Sequence, residues 1–352
     1  MAYISFQPKD YFNTVLHTGT GSELAVSGVG FEPDLTWIKN RSNVDFHVLT
    51  DTVRGATKYV KSNDTTVETT NAEGLKSWQS DGYTLGTQNQ VNENTANFVG
   101  WNWKAGTTSG IATNGSTTIT PSSYSFDQTA GISILNYTGN ITSGAKLAHG
   151  LGATPDFVMI KSLAATKDWG VYNKGMNKTV DPEDYGIELN DPAMQDNSDA
   201  YWNCTVPDSV NLTLGNGDRT NHQVGTMVAY CFAEKQGYSK FGTYTDNNST
   251  NGPFVYTGFR PAWTMIKDNT GGNPWVVDDV KRETYNEMEV PLKPNNTDAD
   301  YSGSAYGIDF LSNGFKIRNN DSTYNGTGND FIYAAFAQAP LVNSSGVPVN
   351  AR

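Results

Sequence analysis

The chain has 352 residues with 24 Lys and Arg against 36 Asp and Glu and no basic cluster, and its net charge of −12 repels phosphate backbones and anionic membrane surfaces. Glycine (35), asparagine (36) and threonine (40) fill nearly a third of it, while charged residues make up 17%; this excess of turn formers and β-branched side chains excludes a helical bundle or coiled coil. The 41 aromatic residues exclude intrinsic disorder, because so much apolar surface drives a packed core.

The opening residues, MAYISFQPKDYF, lack the basic start and apolar run of a signal peptide, and no stretch reaches 18 apolar residues. The expectation is a soluble product made in the cytoplasm, with Met1 to Asp10 as a short attachment segment. The first repeated pattern follows, GFEPDLTWIKN (Gly30 to Asn40), and it returns as GATPDFVMIKS (Gly152 to Ser162) and GFRPAWTMIKD (Gly258 to Asp268). In each copy a glycine and a turn-setting proline (Pro33, Pro155, Pro261) lead into alternating bulky residues and then Ile-Lys. Leu35/Trp37, Phe157/Met159 and Trp263/Met265 share one face, and Ile38, Ile160 and Ile266 lie on the other, so each strand is apolar on both sides and central in its sheet. The lysine ending each copy is expected to snorkel out at the sheet margin.

Further pieces recur in the same order. An aromatic-x-Val step follows each copy: Phe46-His47-Val48, Trp169-Gly170-Val171 and Trp275-Val276-Val277. Short strands come next, at Gly82 to Gly86, Val210 to Gly215 and Gly314 to Arg318, each followed by an Asn-rich loop. Closing aromatic strands run over Phe98 to Lys104, Met227 to Ala233 and Phe331 to Ala337. The fold class expected is all-β: three tandem, related β-sandwich units of jelly-roll or lectin-like kind, over 11–104, 131–236 and 237–338. Residues 105–130 read as a Gly/Ser/Thr linker that leaves the first unit free to take its own angle, and 339–352 read as an extended tail. Single helical turns are expected at Asn71 to Trp78 and Asp279 to Glu289.

No catalytic motif is present. The four histidines (His17, His47, His149, His222) stand in unrelated contexts, and G-x-S-x-G, H-E-x-x-H and C-x-x-C are missing. Asp181, Glu183 and Asp184 in DPEDYG offer carboxylates of the kind a glycosidase uses, but an acidic surface loop between strands is the better explanation. Cys204 and Cys231 read as two small buried thiols, and the N-x-S/T triplets as chance matches in an Asn- and Thr-rich chain. Asp298, Asp300, Ser302 and Asp309 echo half of a calcium loop, with Asp where the bidentate Glu belongs. Aromatic residues near Asn and Asp outside the strands suit a sugar, whose apolar face stacks while its hydroxyls need polar partners. Tyr172, Tyr201, Trp202, Tyr301 and Tyr306 are the glycan-binding candidates on that ground. No cofactor is implied.

The segments SFQPKDYFNTVLHTGTG, VGFEPDLTWIKNRS with VRGATK, LAHGLGATPDFVMIKS with WGVYNKG, VAYCFAEK and AFAQAPLVNSSGVPVNAR together resemble a family of virion proteins of tailed bacteriophages, especially marine phages that infect cyanobacteria. Its members are described as tail-fibre or structural proteins, and the resemblance runs from about Phe6 to Arg352. It implies a non-enzymatic role on the particle exterior, assembled in the host cytoplasm, as a tail fibre or fibre tip. Expected partners are further copies of the chain, as a homotrimer, other virion proteins and a host-surface glycan. Neither nucleic acid binding nor membrane insertion is implied. Three weak glycan sites per chain would act by avidity. The chain shows no separate anchoring domain or fibrous shaft, which makes a capsid decoration or head fibre the alternative; a polysaccharide depolymerase is the third reading.

Overall fold

In the computed structural model, which describes residues 4–223, 225–301, 306–326 and 328–340, each repeated strand is entered from a left-handed glycine. Gly30, Gly152 and Gly258 have φ of 89°, 65° and 80°, a region where a side chain on Cβ is strained. The strands that follow, Leu35–Asn40, Phe157–Ser162 and Phe259–Asp268, are buried almost throughout and lie centrally in antiparallel sheets, as their two-sided apolar pattern predicts.

One strand order appears three times along the chain. The opening strands (Phe12–Thr18, Ile132–Thr138, Ser239–Thr245) pair with the closing strands (Asn97–Trp103, Thr226–Phe232, Asp330–Pro340). Each closing strand pairs with the central one, and that pairs with a flanking strand (Val48–Asp51, Gly170–Asn173, Val276–Asp279). A smaller sheet lies apart from each large one: Leu24–Ser27 with Gly82–Leu85 and Leu75–Gln79, Ala145–Ala148 with Asn211–Leu214, and Phe254–Tyr256 with Gly314–Ile317 and Ile308–Leu311. The chain is therefore all-β, and we call the three stretches units one to three.

The core does not divide as the strands do. One face of every large sheet enters a single shared core, which collects Leu35, Trp37, Phe157, Met159, Trp263 and Met265. At its centre the last rings of the closing strands meet: Trp103 lies 6.4 Å from Phe232 and 5.6 Å from Phe336, and those two lie 5.6 Å apart, all edge-to-face. Units one and two keep inner cores of their own, around Ile38 and Ile160, whereas that of unit three merges with the shared one.

The seams repeat cyclically, each unit reaching into the one before it and the first into the third. Contrary to the snorkelling expected for them, Lys39, Lys161 and Lys267 are fully buried. Lys161 Nζ donates to Thr65 O of unit one (2.7 Å) and to Lys167 O (2.5 Å). Lys267 donates to Pro192 O of unit two (2.8 Å), and also to Asp268, Gly271 and Asn273 carbonyls. Lys39 donates to Thr297 O of unit three (3.0 Å) and Asp45 O (2.8 Å). An ammonium out of water is tolerable only where such acceptors replace its hydration, which is why the side chain points inward to a ring of loop carbonyls. Beside each lysine the preceding unit lays down a strap, held by Glu68 N to Leu163 O (3.3 Å), Gln195 N to Asn269 O (2.9 Å) and Asp300 N to Arg41 O (2.9 Å).

Rings cross the same seams: Trp169 Nε1 donates to Lys61 O (2.9 Å) and Trp275 Nε1 to Glu188 O (2.8 Å), while the Lys293 backbone lies beside His47. The flanking strands place Val48, Gly170 and Val276 opposite Ile38, Ile160 and Ile266. His47, not Phe46, is thus the counterpart of Trp169 and Trp275, one residue away from the sequence alignment. On the opposite side of the seams, buried Arg54–Asp51 and Arg282–Asp279 pairs (2.6 Å each) bond to Tyr230 of unit two and Trp101 of unit one. Unit two has Asn173 and Met176 at those places, and Asn173 Nδ2 bonds to Tyr333 O of unit three (3.1 Å).

Two further expectations are corrected, and most of the N-terminal segment finds its place. Residues 105–130 are not a free spacer: Ser123–Asp127 is the edge strand of the large sheet of unit two, Thr107 bridges to Phe126, and Ala105 N and Ser125 Oγ both bond to Asp34 of unit one (2.8 and 2.9 Å). The first unit is fixed by these bonds and by the seams. Helical turns form at Asn89–Asn92, Asp218–Asn221 and Ser322–Asn325 and not where they were expected, since Asn71 opens a turn into the strand Leu75–Gln79. Residues 4–10 of the N-terminal segment fold back, with Ile4 in the shared core and the Phe6 ring 5.4 Å from Tyr238. Met1 to Tyr3 and residues 341–352 of the tail lie outside the described residues.

Two outcomes follow. Replacing Lys161 by Met takes the donor from two partly buried carbonyls and should cost about 2–4 kcal/mol in chemical denaturation; Lys267→Met, with more acceptors, should cost more. Burial depresses Lys39, Lys161 and Lys267 from 10.5 to about 8. The unfolded chain then holds more protons between these values, so stability rises with pH from 8 towards 10 and that gain is lost as pH falls through 8. Burial raises Tyr83, Tyr137 and Tyr230 above 10.0, so their contribution is complete below that pH and is lost above it. Unfolding free energies measured across alkaline pH should peak near pH ~10.

Candidate functional site

The sequence candidates divide sharply. Tyr172, Tyr201 and Trp202 are 3%, 4% and 0% exposed, in the inner core of unit two, so they are packing residues and offer no face to a sugar. Their signal was misleading because the one-turn helix Asp199–Trp202 turns Tyr201 and Trp202 inward, and Tyr172, on the flanking strand Gly170–Asn173, packs edge-on against Trp202 in the same core. Tyr301 and Tyr306 come together instead, with ring centroids 6.0 Å apart at 78°, and Tyr301 is 59% exposed.

These two tyrosines line an open pocket of about 400 Å³ at the seam between units three and one, together with Val44, Lys293, Asp298 and Asp300. The strap at that seam builds it. Lys39 holds Thr297 and Arg41 O holds the Asp300 amide, which fixes the backbone between them. The Asp300 carboxylate accepts Arg41 Nε (2.8 Å) and Nη2 (2.7 Å) and faces Arg282 Nη1 at 3.4 Å, so its charge is neutralised internally. Asp298 turns outward, accepts Asn296 Nδ2 (2.7 Å), and lies 3.7 Å from Lys293 Nζ. Lys293 Nζ also sits 6.0 Å from the Tyr306 ring centre. Burial, then Asp321, pushes the Tyr306 hydroxyl up from 10.0, so it is a neutral donor. The pocket combines two crossed aromatic rings, one outward carboxylate and one ammonium, groups that can stack on a pyranose and bond its hydroxyls.

Among the described residues its aromatic pair occurs at this seam and not at the equivalent places of the other two. The strap bonds align Tyr301 with Thr69 and Asp196, neither of them a ring, so the expected three similar sites per chain reduce to one of this kind. A larger cleft of about 1010 Å³ lies between unit one and the 105–125 segment, lined by Glu32, Asp34, Lys104, Ser123 and Tyr124. Asp34 there is engaged by Thr52, Ser125 and the Ala105 amide, and the Tyr124 hydroxyl accepts Ile111 N (3.1 Å); unlike the seam pocket, the cleft has a single tyrosine besides Phe31 and no crossed tyrosine pair.

The calcium reading does not survive the geometry. Asp300 is taken by arginines, Asp309 lies on the strand Ile308–Leu311 with Arg318 Nε at 3.5 Å, and Ser302 is outside the described residues. Among the described residues no three His, Cys, Asp or Glu side chains cluster to hold a metal. Glu183 is buried in the turn Pro182–Asp184. Three of the four histidines have structural partners: His47 Nδ1 accepts Trp37 Nε1 (3.0 Å), His17 bonds Val91 O and stacks on Phe98, and His149 bonds Asp208 O. Both cysteines are free thiols, and Cys204 is exposed where a buried one was expected. Sequence reading missed Lys293 and Val44, which reach the pocket only through the fold.

Tyr301→Ala should change stability by less than about 0.5 kcal/mol, whereas Trp202→Ala should cost about 3–5 kcal/mol, measured by urea unfolding of each variant.

A family model described as a domain of unknown function, DUF7483, matches residues 7–340. Neither the curated proteins nor the solved structures contain a match to the chain.

Proposed function

The chain belongs to the DUF7483 family, and from that premise, the virion resemblance of its sequence and the seam pocket we propose that it is an exterior structural protein of a tailed bacteriophage, a tail fibre or fibre tip that binds a host-surface glycan. The observation that carries the binding reading is the pairing of Tyr301 with Tyr306 beside outward Asp298 and Lys293. An exposed ring, Tyr301, crossed with the partly buried Tyr306 stacks a neutral sugar without needing a strong charge, and Asp298 and Lys293 orient its hydroxyls. One such pocket per chain makes avidity a matter of several copies on a particle. The cyclic seams support the structural part of the proposal, since a shared core makes the three units one rigid body suited to mechanical exposure.

The test is retention of the labelled protein on host cells and on extracted surface polysaccharide. Tyr301→Ala and Asp298→Ala should each weaken binding by about tenfold or more at unchanged thermal midpoint. Equal retention of wild type and both variants would remove the pocket from the proposal. Release of reducing ends from the polysaccharide would replace the binding reading by a depolymerase. Imaging of particles carrying a C-terminal label separates tail from head: label on the shell would favour a capsid decoration protein.

A further inference from the structure

Unit two shows how the free edge of its small sheet is filled. Thr118 N and Ile119 N both donate to Lys146 O (3.0 and 2.9 Å), and Ala148 N donates to Ile119 O (3.0 Å), a short parallel pairing with the strand Ala145–Ala148. Ile119 is 7% exposed and packs in the inner core there. The filler comes from the 105–130 segment, which has no counterpart between units two and three.

The corresponding edge in unit three is Phe254–Tyr256. Val255 lies opposite Phe315 as Leu147 lies opposite Leu212, so Phe254 and Tyr256 occupy the places of Lys146 and Ala148. Pro253 O accepts Ile317 N and Thr257 N donates to Asn313 O, both toward the sheet. Alternation along an antiparallel strand then turns the backbone groups of Phe254 and Tyr256 to the outer side. Among the described residues no strand pairs with that edge. Phe254 and Tyr256 are 46% and 54% exposed, whereas the matching places in unit one hold the small Ala25 and Ser27. Large rings beside a bare edge are what a monomer avoids, because they invite a strand from elsewhere.

We propose that the Phe254–Tyr256 edge accepts an extended segment of a partner protein, running parallel to it, with a β-branched apolar residue flanked by threonines as in Thr118-Ile119-Thr120. The Phe254 carbonyl would accept the incoming amides and the Tyr256 amide would donate to the incoming carbonyl, repeating the bonds made by Lys146 and Ala148. The exposed rings would cover the segment from the outer face. Main-chain bonds supply affinity in such strand addition and the inserted apolar side chain supplies selectivity. The inference is independent of glycan binding.

The probe is a synthetic peptide, GSTTITPS, copying residues 115–122, added to the full chain. Amide hydrogen exchange should show Tyr256 exchanging fast in the free protein and protected when peptide is present. Tyr256→Pro removes that amide while sparing the bonds to Gly314–Ile317, a change an edge strand tolerates, and should weaken peptide binding by about tenfold or more in calorimetry. Tyr256→Ala, which keeps the amide and loses only the ring, should retain measurable binding and keeps the test open should the proline variant misfold. Slow exchange of Tyr256 in the free protein would mean that the edge is already occupied, and peptide binding without protection at Tyr256 would place the segment elsewhere. Either result overturns the proposal.

Discussion

An ammonium group sealed from water must be given its hydration back by the protein, and the arrangement of this molecule follows from doing so three times. Each buried lysine draws carbonyls from its own loop and from the strap of the preceding unit, so the charge is satisfied only when two units are in place. The straps are thereby fixed, and the one at the seam between units three and one carries Asp298 and Tyr301 to the surface. The pocket is a by-product of a structural requirement, elaborated at one seam by side chains the other two lack.

Much of the fold was legible because its signals are local. Glycine and proline announce each central strand, and bulky residues on both sides of Leu35–Asn40 or Phe157–Ser162 declare a strand covered on both faces. The lysines were misread because their environment is made by carbonyls far away in sequence, such as Thr297 for Lys39, and a charged residue at a strand end ordinarily finds water. One signal was available and passed over: Asn92, Asn221 and Asn325 each stand eleven residues before the closing rings Trp103, Phe232 and Phe336. All three are fully buried, and their side-chain amides tie the helical turn to neighbouring loop carbonyls. A fixed spacing of that kind marks a structural asparagine, and so accounts for part of what composition presented only as Asn-rich loops.

The candidate site was half legible. Exposure separates the useful tyrosines from the packing ones, and exposure depends on which way a short helix turns; nothing in the residues around Tyr201 and Trp202 distinguishes them from those around Tyr301. Val44 enters the pocket from 250 residues away. Sequence offers rings in the neighbourhood of acids as separate candidates, and only the seam says which rings and which acid lie together.

The three seams differ in one respect that comes from connectivity alone. The chain itself passes from unit one to unit two through residues 105–130 and from unit two to unit three between Ala233 and Ser239, yet it never passes from three back to one. The ring is closed there by contacts only, among them Lys39 with Thr297 and Arg41 with Asp300. The molecule is a ring with two covalent joins and one non-covalent catch, and the aromatic pocket sits on the catch. Anything bound across Val44 and Tyr301 grips both sides of the one joint that the backbone leaves unsecured.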